Sequence, residues 1–258
     1  MTRHFAADDL VQFQSNNLNL FRKSLVTSVV CEFRFPTLIE LGDAKPPARF
    51  VKSLRKKYPH IETATDVSFG FGGSSESSHS HIFRALRGGW SVSLKHSSLT
   101  IETSTYTGYG ELLERALEAV QAAEPIIDSD FWTRIGLRYV NNLPGRYDPL
   151  RNGWINPALT AQFADGTFRG VNEFATRLLL NSEDGGCLLQ TNLKRNPKNG
   201  EVFVPPDFIV DVDSFRNEVA LSDSKSALDM MHAQAFNCFD WSLGDAAREH
   251  LAGNNGER

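Results

Sequence analysis

An α+β fold is what this sequence predicts, arranged as two similar lobes of antiparallel sheet, each with a long helix packed on one face. Three observations carry that expectation. Several segments alternate apolar and polar residues with a period of two and end at turn residues, as half-buried antiparallel strands do. Two segments, 111–124 and 223–240, repeat apolar residues at helical spacing. The order of strand hairpins followed by a helix occurs twice, over 20–145 and again over 146–252. The chain therefore reads as one compact unit over 1–258 with these two lobes inside it.

Residues 28–35, SVVCEFRF, are the first strand, with Val29, Cys31, Phe33 and Phe35 pointing one way and Val30, Glu32 and Arg34 the other. Pro36 stops it. Residues 46–58 read as a short basic helix or an irregular segment opened by Pro46 and Pro47. The Gly- and Ser-rich residues 70–80 read as a loop. Strand-like runs follow at 81–86, 90–95 and 99–106, the last two forming a hairpin turned by His96, Ser97 and Ser98. In 111–124, Leu112, Leu113, Ala116, Leu117 and Val120 make one apolar stripe, and Pro125 ends the helix. Residues 131–143, FWTRIGLRYVNNL, are a strand, and 156–164 a short helix.

In the second half, 176–181 and 187–193 alternate as a hairpin around Asp184, Gly185 and Gly186. Residues 208–212 are a short strand. Ser222 or Asp223 caps a helix that reaches Asp240 and buries Leu228, Met231, Ala235, Phe236 and Phe239. Ser242 caps a last short helix through Leu251.

Composition narrows the function classes. The 258 residues are enough to bury a core without metals or disulfides. A net charge of −4 argues against nucleic-acid binding by bulk electrostatics. No run of about 18 apolar residues occurs, so no membrane partner is expected. The start, MTRHFAADDLVQF, lacks the basic-then-apolar pattern of a secretory signal, which makes the expected location cytoplasmic. Cys31, Cys187 and Cys238 are widely spaced without a CxxC pair, so buried free thiols are expected.

Four segments, SLVTSVVCEFRFP, FWTRIGLRYVNNLP, FIVDVDSF and LDMMHAQAFNCF, occur in that order along the chain. Together they resemble a sporadically distributed family of bacterial proteins of about this length with no established function. The resemblance spans nearly the whole chain, and its most specific part runs from Arg134 to Asn141. It transfers no catalytic residue. Its patchy distribution implies an accessory role, antiphage defence being one.

The candidate chemistry begins on the middle strand. Arg134, Gly136, Arg138 and Val140 lie on one face, with Ile135, Leu137 and Tyr139 on the other. The two arginines stand about 13 Å apart by strand rise. If the first strand lies beside this one, Glu32 and Arg34 extend a charged sheet face. The functional reading is a binding site for an anionic ligand or a protein partner, formed by Arg134, Arg138, Tyr139, Glu32 and Arg34. The structural reading is a solvated face on which Glu32 pairs with an arginine, each exposed pair being worth about 0–1 kcal/mol.

Asp211 and Asp213 alternate on a strand as magnesium-binding pairs do, which supports a rival class, a metal-dependent nuclease or phosphodiesterase. The Gly72-Gly73-Ser74 turn of a nucleotidyltransferase should stand shortly before such a pair, and here it does not. His79 and His81 share a face without a third ligand at a telling spacing. No GxSxG elbow or GxxxxGK[ST] phosphate loop occurs. The basic segments 52–57 and 194–198, with Tyr58 and Phe203 nearby, make nucleic acid a minor reading. The expectation is a homo-oligomeric binding or regulatory protein with no metal and no cofactor. A structural subunit of a larger complex is the third class.

Overall fold

The alternating segments become nine strands: β1 (Val26–Arg34), β2 (His60–Phe69), β3 (Ser75–Arg84), β4 (Trp90–Leu94), β5 (Ser98–Thr103), β6 (Phe131–Leu143), β7 (Ala175–Asn181), β8 (Gly185–Lys194) and β9 (Asp207–Ala220). The helices are α1 (Ala48–Leu54), α2 (Tyr109–Ala123), α3 (Ala161–Ala164), α4 (Ser224–Ser242) and α5 (Asp245–Ala252). This computed structural model describes residues 4–69, 75–164, 168, 171, 173–195 and 205–253. The α+β class holds, and the strands join one antiparallel sheet in the order β2-β3-β4-β5-β1-β6-β9-β8-β7. Among the described residues, no helix is long and apolar enough to cross a membrane.

The chain divides into two compact units. The first takes the described residues of Met1–His4, Ser28–Leu137 and Phe215–Asp229; the second takes those of Phe5–Thr27, Arg138–Ser214 and Met230–Arg258.

In the first unit, β1 buries Val29, Cys31 and Phe33 as its alternation predicts, and pairs antiparallel with β5, Cys31 opposite Ile101. The β4–β5 hairpin turns between Leu94 and Leu99. Helix α2 buries Leu112, Ala116 and Val120 and packs on β5 and α1. Arg115 on α2 lies 4.7 Å from the Trp90 ring centroid and donates to the Tyr58 hydroxyl, so an ion covers the aromatic edge of this core. Phe33 and Trp132 pack with centroids 5.0 Å apart, and the Trp132 indole N–H donates to Ser224 Oγ at 2.7 Å.

One expected loop is a strand. Residues 75–80 belong to β3, which pairs with β2 from His60 opposite Arg84 to Phe69 opposite Ser75; residues 70–74 lie outside the described residues. The segment SESSHS has no apolar alternation to reveal it, because it is its backbone that pairs with β2. His81 in β3 is buried, its Nδ1 3.2 Å from Thr63 Oγ1. Burial lowers its pKa below the ordinary imidazole value, with His79 adding to the effect and a backbone contact at Asp43 opposing it.

In the second unit, β7 and β8 form the expected hairpin, turning at Ser182–Asp184. The Asp184 carboxylate accepts N–H bonds from Ala6 at 2.7 Å and Ala7 at 3.1 Å, which anchors the N-terminal segment to this turn. The short strand expected at 208–212 extends over β9, fourteen residues, through the polar Ser214, Arg216 and Glu218. Ser214 and Arg216 are buried, so residue type misreads this strand's length. The cap of α5 is Gly244 instead of Ser242, whose hydroxyl donates back to the Cys238 carbonyl inside α4. Gly244 is required by space: a Cβ there would stand 2.2 Å from the Gly153 carbonyl oxygen.

Two outcomes follow for stability. Gly244→Ala should lower unfolding free energy by about 1–3 kcal/mol, the usual cost of overpacking against backbone. Gly110→Ala, at a helical position with open space around it, should raise it by about 0.4–1 kcal/mol; urea denaturation of both variants gives the signs. As pH falls below about 6.5, the unfolded His81 imidazole takes up its proton before the folded one does. Stability should therefore fall with pH in that window, and His81→Asn should flatten the pH dependence of the urea midpoint.

Candidate ligand-binding site

The expected site residues separate once their contacts are known. On β1, Arg34 Nε bonds Glu32 Oε2 at 2.7 Å, so these two charges satisfy each other along one strand. On β6, the Arg134 guanidinium lies 4.4 Å from the Phe215 ring centroid. Further along, Arg138 Nε and Nη2 reach the two oxygens of Asp211 at 2.8 and 2.5 Å. The Asp211 side chain is 10 % exposed and that of Arg138 49 %, so the guanidinium covers a nearly buried carboxylate. The hydrogen bond to Asp211 raises the Arg138 pKa, with Asp211 and Asp213 charges adding to it. Tyr139 points to the opposite face, as its alternation requires, and its hydroxyl lies 3.0 Å from His232 Nδ1.

Asp211 and Asp213, read as a separate metal pair, thus share their surroundings with Arg138. Among the described residues, no three His, Cys, Asp or Glu side chains converge in a way that could hold a metal ion. Gly72-Gly73-Ser74, Phe203 and residues 196–198 of the second basic segment lie outside the described residues. A cleft of about 500 Å³ in the first unit is lined by Glu124, Asp128, Ser129, Asp130, Leu221 and Ser222, an acidic lining that repels anions.

The second unit holds a cationic cluster that sequence reading missed. After β6, Pro144 leads into a short 3-10 turn, Gly145–Tyr147. Gly145 has no room for a side chain, since a Cβ would stand 1.9 Å from the Pro205 carbonyl oxygen. Its N–H donates to Asp207 Oδ1 at 2.6 Å, and Asn142 donates to the other oxygen at 3.1 Å. The turn so pinned leaves Arg146 exposed and lays Tyr147 flat on Trp154, centroids 4.3 Å apart and planes 12° from parallel. Arg146 lies 4.8 Å from the Tyr147 centroid. From α5, His250 stands 5.1 Å from both rings.

The backbone N–H groups of Arg22 and Lys23 donate to the Leu251 carbonyl at 2.8 and 3.1 Å, which places Lys23 at the same end of α5. Burial lowers the His250 pKa first, and the charges of Lys23 and Arg146 lower it further. Both charges that act on this imidazole are cationic. His250 lies in the last turn of α5, where a positive charge is favoured by about 0.3–1 kcal/mol through the helix dipole. Lys23, Arg146 and His250 are too far apart in the chain for any spacing rule to join them. The adjacent Arg146-Tyr147 was the only local signal.

No protein-family model matches the chain, and a search of curated proteins finds no match.

The Arg138–Asp211 contact makes a stability prediction. Arg138→Ala should cost about 1–2 kcal/mol by uncovering a carboxylate that is nearly buried, less than a fully buried pair because Arg138 is half exposed. Asp211→Asn in the Arg138→Ala background should recover part of that loss. A double-mutant cycle by urea denaturation measures the coupling.

Proposed function

We propose that this protein binds an anionic ligand, and that Lys23, Arg146 and His250 take the anion. The observation that carries the reading is geometric: Arg146 lies 4.8 Å from the Tyr147 ring, His250 stands 5.1 Å from both Tyr147 and Trp154, and the Lys23 N–H is bonded to the Leu251 carbonyl next to His250. A bound anion would relieve the repulsion among these cations, while the Tyr147–Trp154 stack would hold Arg146 and His250 in place. Arg138 suits this role less well, because Asp211 already occupies its donor fork. An accessory role in bacterial defence, implied by the family resemblance, belongs to the same proposal.

Sulfate serves as the probe because it stays dianionic across the pH range of interest. Binding raises the His250 pKa towards or above its ordinary value, so binding takes up a proton and tightens as pH falls. The affinity measured by calorimetry should rise about threefold or more between pH 8 and pH 6 in the parent protein. That pH dependence should vanish in His250→Gln. Lys23→Ala combined with Arg146→Ala should weaken binding by about tenfold, near 1.4 kcal/mol. Unchanged affinity in the double variant would place the anion elsewhere.

A further inference from the structure

We propose that Cys187 and Cys238 are an oxidation site, forming a reversible disulfide between β8 and α4 when the protein meets a peroxide. The two residues are 51 apart in sequence and lie on different elements of the second unit, yet their sulfurs are 3.5 Å apart. A disulfide needs about 2.05 Å, so the sulfurs must approach by about 1.5 Å. Ser214 Oγ donates towards Cys187 Sγ at 3.6 Å, a contact that favours negative charge on that sulfur. Cys31, in the first unit, is a third buried free thiol and serves as an internal reference.

The chemistry balances with hydrogen peroxide as the oxidant. One sulfur, having given up its proton, attacks a peroxide oxygen; the O–O bond breaks, and a sulfenic acid and one water form. The second sulfur then attacks the first; the S–S bond forms, the S–O bond breaks, and a second water leaves. Two thiols lose two protons and two electrons, and one peroxide becomes two waters. Both thiols are buried, and the hydrogen bond with Cys187, followed by burial, raises the Cys238 pKa, so the reaction is slower than at an exposed thiol. The product would tie β8 to the helix whose Asn237 and Asp240 hold the N-terminal segment.

The test treats the folded native protein with millimolar hydrogen peroxide over a day. Samples are quenched in acid, denatured, alkylated with N-ethylmaleimide and mapped by mass spectrometry. The expected result is a species short of two hydrogens, with one alkylated thiol at Cys31, a cross-linked Cys187–Cys238 peptide, and full return of three thiols on dithiothreitol treatment. Three alkylatable thiols throughout would overturn the proposal. So would gain of oxygen at Cys187 or Cys238 that dithiothreitol does not reverse, or a cross-link that includes Cys31.

Discussion

The second unit is organised around one buried carboxylate. Asp240, near the end of α4, is 1 % exposed. A charge in that position needs partners, since an unpaired buried ion costs several kcal/mol or more. Ser15 Oγ donates to it at 2.5 Å, Asn17 Nδ2 at 3.0 Å and Arg248 Nε at 2.8 Å. Arg248 also reaches the Asp240 backbone carbonyl at 2.6 Å. One side chain therefore joins the N-terminal segment, the end of α4 and the body of α5. The position of α5 sets where His250 stands, and its Leu251 carbonyl receives the N–H groups of both Arg22 and Lys23. The cationic cluster is thus placed by a carboxylate that does not belong to it.

The same rule explains why the charged residues on β6 and β1 are not collected into one site. Carboxylates that lose solvent recruit the nearest donors. Asp211 takes Arg138, Asp207 takes Asn142 and the Gly145 N–H, and Asp184 takes the N–H groups of Ala6 and Ala7. Each contact fixes architecture: a strand pair, a turn, the anchoring of the N-terminal segment. His250 in the last turn of α5 and Lys23, whose N–H bonds the Leu251 carbonyl, stand where helix carbonyls attract cations. The anion-binding proposal builds on that structural preference for positive charge.

Legibility in the sequence followed solvent exposure. Where one face of an element is apolar, the period revealed it, as in β1, β4, β5, β6 and α2. The β7–β8 hairpin is legible from its alternation together with the Asp-Gly pair, although Gly185 and Gly186 lie inside β8 and the turn is Ser182–Asp184. Where the faces are polar, the period was silent. The Ser- and His-bearing end of β3 read as loop, and β9 read as five residues because Ser214 and Arg216 are polar although buried. Local sequence does not mark the cap of α5, because Gly244 is selected by a backbone oxygen of Gly153, a neighbour distant in the chain.

Alternating and helical apolar patterns determined the α+β class and most element positions, because burial of apolar side chains acts on residues a few positions apart. The joining of the strands into one sheet, the Arg138–Asp211 contact, the thiol pair and the Lys23–Arg146–His250 cluster came only with the folded chain. Those depend on which polar groups lose water together, and desolvation is a property of three-dimensional packing that links residues far apart in sequence.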